Sequence, residues 1–135
     1  MTERGAGAGN RMGRVAMHDA AAIGDLAGVR AALSAGADPN VADTAGWTAL
    51  HFAAQAQSAV VTAELLAGGA VVDSVDRQGN TPLWRAVFNY RGDPGVLLVL
   101  REGGADPDLV NAHGVSPRQL AGRIANYDVA AHVTW

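Results

Sequence analysis

Apolar positions along this chain recur with a long period and do not alternate strictly, so the pattern predicts packed helices and no regular sheet. Aligning the segment from Trp47 with that from Asn80 pairs Thr48-Ala49-Leu50-His51 with Thr81-Pro82-Leu83-Trp84, and Ala53 with Ala86, at an offset of 33 residues. Gly69-Ala70 follows Gly36-Ala37, Asp76 follows Asp43, Gly79 follows Gly46, and His51 follows His18 at the same offset. Further on the copy slips by two residues, so that Gly104-Ala105 answers Gly69-Ala70 and Ser116-Pro117 answers Thr81-Pro82. Thr48, Thr81 and Ser116 each carry a hydroxyl that can cap a helix, and proline at the first helical position forfeits no hydrogen bond. Ala20, Ala53, Ala54, Ala86 and Ala121 let helices approach closely, while Leu50, Leu65, Leu66, Leu83, Val96, Leu97 and Leu100 fill the space between units. Gly36, Gly69 and Gly104 stand after the second helix of each unit, where a left-handed residue ends it at low cost. The unit reads as helix, turn, helix, hairpin loop.

The 33-residue period, with Gly36-Ala37-Asp38-Pro39-Asn40, the Asp43-Thr44-Ala45-Gly46 turn and Asn80-Thr81-Pro82-Leu83, resembles the ankyrin repeat. The resemblance covers residues 15–135 and implies an all-α ankyrin-repeat solenoid of helix-turn-helix-hairpin loop units. Three full repeats are expected at 15–46, 47–79 and 80–114, followed by a C-terminal cap at 115–135 that carries Arg118, Gln119 and Arg123 and whose second helix Asp128 opens. Such units bury their apolar faces only against neighbours, so polar end units are needed. Departures from the family pattern are Trp84 and Gln119 in place of histidine, Arg118 in place of leucine, and two extra residues in the middle of the third repeat.

Composition narrows the function classes. The 135 residues are 49% hydrophobic and 17% charged, a balance that supports a folded domain. There is no cysteine, which removes disulfide frameworks, thiolate metal sites and cysteine nucleophiles, and suits a cytoplasmic protein. Residues 1–14 are expected to be a disordered tail rich in Gly and Ala, with no apolar run for a signal peptide or membrane span. Its Gly5, Gly7 and Gly9 do not form a phosphate loop, since the chain has no lysine. Without that tail's three Arg and one Glu, 7 basic and 12 acidic side chains remain, a net of −5 against −3 for the whole chain. That balance disfavours nucleic acid as a partner.

Catalysis and metal binding find no support. In the resemblance, His18 and His51 brace loops; His113 falls at a hairpin tip and His132 near the end, and no two histidines share a helix face at ligand spacing. Asp43, Asp73 and Asp76 could suggest calcium, but Val75 stands where that loop would need an oxygen ligand, so loop bracing explains them better. No serine sits in a nucleophile elbow. No catalytic residue, metal or cofactor is expected.

The resemblance places function on the concave surface made by hairpin tips and first helices, where family members bind proteins. The candidate partner-binding residues carried over are Trp47, Phe52, Gln55, Arg77, Gln78, Arg85, Asn89 and His113. Tyr90, in the lengthened turn of the third repeat, joins them. Trp47 and Phe52 stand where the family has polar or arbitrary residues, and large aromatics with arginine are what binding hot spots favour. Trp84 is expected to pack and Phe88 to fill the core. Arg77, Arg85 and Arg123, with no acid among the face positions, imply a protein partner that carries an acidic patch. The expected molecule is a monomeric protein-protein interaction module, similar to small stand-alone bacterial ankyrin proteins, some of which resemble immunity-type inhibitors of a partner toxin. The alternatives are a regulatory or accessory subunit that binds a metabolite, and a self-assembling scaffold.

Overall fold

The computed structural model describes residues 12–124. Residues 1–11 of the expected tail, the second cap helix expected at Asp128, and His132 lie outside them. Seven helices are present in that range: α1 (Ala16–Ala22), α2 (Leu26–Ser34), α3 (Ala49–Gln55), α4 (Ala59–Ala67), α5 (Pro82–Phe88), α6 (Gly95–Glu102) and α7 (Pro117–Arg123). No strand occurs among the described residues.

The helices form two layers. One layer stacks α1, α3, α5 and α7 in order, the other α2, α4 and α6, and each antiparallel pair packs together. Helix starts follow from the capping residues. The Thr81 hydroxyl accepts a hydrogen bond from the Trp84 amide at 3.1 Å, and the Ser116 hydroxyl accepts one from Gln119 at 3.1 Å. Gln119 returns the favour, its Oε1 accepting from the Ser116 amide at 2.8 Å. Pro82 and Pro117 occupy the first turn. At α6 the Asp93 carboxylate accepts from the Gly95 amide at 2.9 Å, so this helix begins one residue later than a Pro94 start would place it.

Leu50, Leu65, Leu83, Leu97 and Leu100 are fully buried between the layers, and Ala21, Ala53, Ala54 and Ala86 are as completely enclosed where helices meet. Burial of a leucine side chain contributes about 1.5–3 kcal/mol, so this row dominates the favourable side of folding.

The hairpins are built on one device used three times. Asp43 Oδ1 accepts from the amides of Ala45 and Trp47 at 2.9 and 2.8 Å, Asp76 Oδ1 from Gln78 and Asn80 at 2.9 Å each, and Asn111 Oδ1 from His113 and Val115 at 2.9 and 3.0 Å. Adjacent tips are then tied by backbone bonds, Arg77 N–H to the Ala45 carbonyl at 3.0 Å and Ala112 N–H to that of Gln78 at 2.8 Å. Gly46 sits at this junction with φ +82°, and a Cβ there would lie 2.9 Å from the Arg77 nitrogen, so the turn requires glycine.

Residues 12–14, expected in the tail, repeat the device. The Thr44 amide donates to the Met12 carbonyl at 2.8 Å, the equivalent of the two tip-to-tip bonds above. The start of the described chain therefore supplies the edge of a preceding hairpin.

Candidate functional site

Hairpin tips and inner helices enclose a groove whose floor is a chain of aromatic and cationic side chains. The Phe52 and Trp47 rings lie 4.9 Å apart. The Arg85 guanidinium covers Trp47 at 4.5 Å and reaches Trp84 at 5.4 Å. Trp84 in turn stacks on Phe88 at 5.3 Å. At the other end the Arg14 guanidinium lies 4.8 Å from the Phe52 ring centre. Six residues thus form one continuous ladder across three repeats, from Arg14 to Phe88.

Both cations of the ladder are held by the hairpin aspartates. Arg85 Nη2 is 3.1 Å from Asp76 Oδ2, and Arg14 Nε is 3.8 Å from Asp43 Oδ2. The two carboxylates are buried, so each does two jobs: one oxygen closes its hairpin and the other fixes an arginine over an aromatic ring. A guanidinium held this way loses little freedom on contact with a partner, and cation–π contacts strengthen as they are desolvated.

Histidines brace the groove from below. His51 Nδ1 accepts the Thr48 amide at 3.1 Å, so Nε2 carries the proton and donates to the Asn80 carbonyl at 2.8 Å. Burial lowers the His51 pKa from its ordinary value, which keeps the ring neutral. His18 repeats the arrangement, accepting from the Val15 amide at 3.2 Å and donating to the Val41 carbonyl at 2.8 Å. In the third repeat Trp84 takes this position, and its buried Nε1 has no hydrogen-bond partner among the described residues.

The candidate partner-binding residues divide into three groups. Arg77, Gln78, Gln55 and His113 are exposed, the first two at the third hairpin tip, where Arg77 Nη1 donates to the Thr44 carbonyl at 3.0 Å. Trp47, Arg85 and Asn89 are half-buried; Asn89 donates to the Arg85 carbonyl at 2.8 Å. Phe52 and Tyr90 correct the expectation of surface placement, being only 6% and 4% exposed. Phe52 is wedged between Trp47 and His18, whose ring centre is 5.6 Å away, under the cover of Arg14. Tyr90 turns into the core just after α5 ends, and Phe88, expected to fill that core, is 59% exposed instead.

Arg85 also departs from expectation: it is paired with Asp76 and sandwiched, so it shapes the groove and leaves Arg77 as the exposed cation beside it. Arg14 was hidden by its place in the expected tail, although Gly13 stands 33 residues before Gly46 and shares its left-handed φ, +73° against +82°. That register was the signal for it.

A family model for ankyrin repeats, in three copies, matches residues 17–111. The chain is 40% identical over 97 residues to Protein PhlB of Serratia liquefaciens, covering 71% of this chain and 42% of that protein. It is 35% identical over 104 residues to the nuclear factor NF-kappa-B p105 subunit of Gallus gallus, covering 76% and 10%. Against serine/threonine-protein kinase 12 of Arabidopsis thaliana the identity is 34% over 97 residues, covering 72% and 21%. The chain therefore spans less than half the length of each of these relatives.

Proposed function

This chain belongs to the ankyrin-repeat family, whose repeats generally mediate protein-protein interaction, and we propose that it binds a protein partner through the groove floored by Trp47. The observation that carries this reading is the ladder itself. Trp47 is held between Phe52 and Arg85, half-exposed, with its orientation set before any partner arrives. Rigid aromatic anchors beside arginine are the residues that dominate interface energies.

The protein acts as a non-catalytic cytoplasmic module on this reading. The narrower role of an immunity-type inhibitor draws on the likeness to small bacterial ankyrin proteins. The metabolite-binding alternative is less well served by the groove. Its larger pocket, about 350 Å³, is near the low end of the ~300–1,000 Å³ typical of small-molecule sites and lies between two surface hairpins.

The test is affinity capture from native lysate with three baits: the parent protein, Trp47→Ala, and Leu98→Ala on the exposed side of α6. A protein retained by the parent and Leu98→Ala baits but lost by Trp47→Ala supports the groove. Equal capture by all three removes it.

A further inference from the structure

The groove holds two pockets in repeat register, and they differ in chemistry. The larger, about 350 Å³, is walled by Trp47, Arg77, Gln78 and Arg85 between the second and third hairpin tips. The smaller, about 120 Å³, lies one repeat earlier, walled by Met12, Arg14, Phe52 and Gln55, and shares Trp47 with the first. Asp76 and Asp43 stand at equivalent places in the two. Where the larger pocket has Arg85 the smaller has Phe52, and where the larger has Trp47 the smaller has Arg14, each pair 33 residues apart.

Charge then separates them. In the larger pocket Asp76 is matched by Arg85, and Arg77 meets only the Thr44 carbonyl, with no ion pair among the described residues. One positive charge is left over. A single carboxylate balances it, whereas a doubly charged phosphate would set surplus negative charge beside the buried Asp76. In the smaller pocket Arg14 faces Asp43 at 3.8 Å, and Met12, Phe52 and Trp47 supply apolar walls. That pocket suits an uncharged apolar side chain.

Spacing identifies the backbone that could fill both. Neighbouring packed helices lie about 8–10 Å apart, which sets the distance between equivalent points of adjacent repeats. A polyproline II segment rises about 3.1 Å per residue with three residues per turn, so side chains three apart share a face at about 9 Å. Same-face positions of a β-strand fall at about 6.6 or 13 Å and miss it. Aromatic-lined grooves also favour this conformation, because it is stiff and costs little entropy to bind.

We infer that the groove takes an extended, polyproline II-like segment of the partner, with an apolar side chain in the smaller pocket and, three residues away, an Asp or Glu carboxylate on Arg77. This rests on the protein-binding reading above and adds to it a two-point motif.

The experiment is selection from a random dodecapeptide library on phage, with the Trp47→Ala and Arg77→Gln proteins as counter-baits, followed by anisotropy titration of the recovered peptides. The expected result is a set of sequences sharing an apolar and an acidic residue three positions apart. Glu→Gln in such a peptide should weaken binding about tenfold or more to the parent protein and have little effect on binding to Arg77→Gln. Millimolar inorganic phosphate should not compete. Sequences without an acid, or with spacings of two, four or, as in a helix, seven residues, overturn the motif. So does failure to recover any peptide above the counter-baits, or efficient competition by phosphate. The lysate comparison with Leu98→Ala judges protein binding separately, so a failed motif and a failed groove give different results.

Discussion

The Arg85 guanidinium lies 4.5 Å from the centre of the Trp47 ring, and the same inter-repeat contact recurs one repeat earlier between Arg14 and Phe52, at 4.8 Å, with cation and aromatic exchanged. Arg14 and Trp47 are equivalent positions, as are Phe52 and Arg85, each pair 33 residues apart. Exchanging the partners keeps the attraction while letting an aromatic face open at the groove's centre. The hairpin aspartates hold both arginines, so hairpin closure and groove geometry are coupled.

Arg85 is accordingly a structural residue. Arg85→Ala removes the cover of Trp47 and Trp84 and leaves the buried Asp76 carboxylate without its counter-charge, and it should cost about 2 kcal/mol or more of stability. Urea denaturation checks this. An unchanged midpoint would show that the sandwich contributes nothing to the fold.

The hairpin glycine after each second helix carries backbone strain for any other residue. Gly69 has φ +101° and open space where a Cβ would sit, so a substitution there is penalised by conformation alone. Gly69→Val should destabilise by about 1–2 kcal/mol, and Gly69→Asn by less, because asparagine tolerates the left-handed region. Equal losses for the two variants would mean that side-chain contacts, not φ, set the cost.

The pH dependence of stability follows from His51, whose folded pKa is depressed, chiefly by burial. The unfolded chain therefore binds the proton more readily. Stability from this group is full above its unfolded value of about 6.5 and is lost as pH falls through that value towards the folded one, at up to about 1.4 kcal/mol per pH unit. Denaturation midpoints between pH 7.5 and pH 5, as an order-of-magnitude window of roughly ±1 unit around the unfolded value, should fall for the parent protein and fall less steeply for His51→Gln. Parallel slopes would remove His51 as the cause.

The repeat was legible in the sequence because its markers are local. Thr81-Pro82 and Ser116-Pro117 announce helix starts, and Gly46 and Gly79 announce hairpins, whatever surrounds them. Trp47, Arg77 and Gln78 were legible as groove residues for the same reason, since hairpin positions are fixed by the turn. Phe52, Phe88 and Tyr90 were not, because their burial depends on which ring the neighbouring repeat offers. Phe52 meets His18 and Trp47, whereas Phe88 meets only one side of Trp84, and Tyr90 takes the core place made available by the lengthened turn. The pairing of Arg85 with Asp76 lies within one repeat, yet its use as a cover for Trp47 crosses between repeats.

Binding kinetics should separate anchor from charge. With a partner in hand, Trp47→Ala should cost about 2 kcal/mol or more, mostly through faster dissociation. Arg77→Glu should instead slow association and flatten its salt dependence, since Arg77 is the exposed cation of the groove. The reverse assignment of rates would place the anchor elsewhere.

The most direct test of the groove as the docking surface is photo-crosslinking in the cells that produce the protein, with a photoreactive amino acid placed at position 78 or at position 98. Gln78 lines the larger pocket at the third hairpin tip, and Leu98 is exposed on α6 in the other layer. The proposed function predicts a discrete crosslinked species from position 78 that is absent from position 98 and disappears when Trp47→Ala is added. A partner captured from position 98 and not from 78 would contradict it and move the interface to the outer helices.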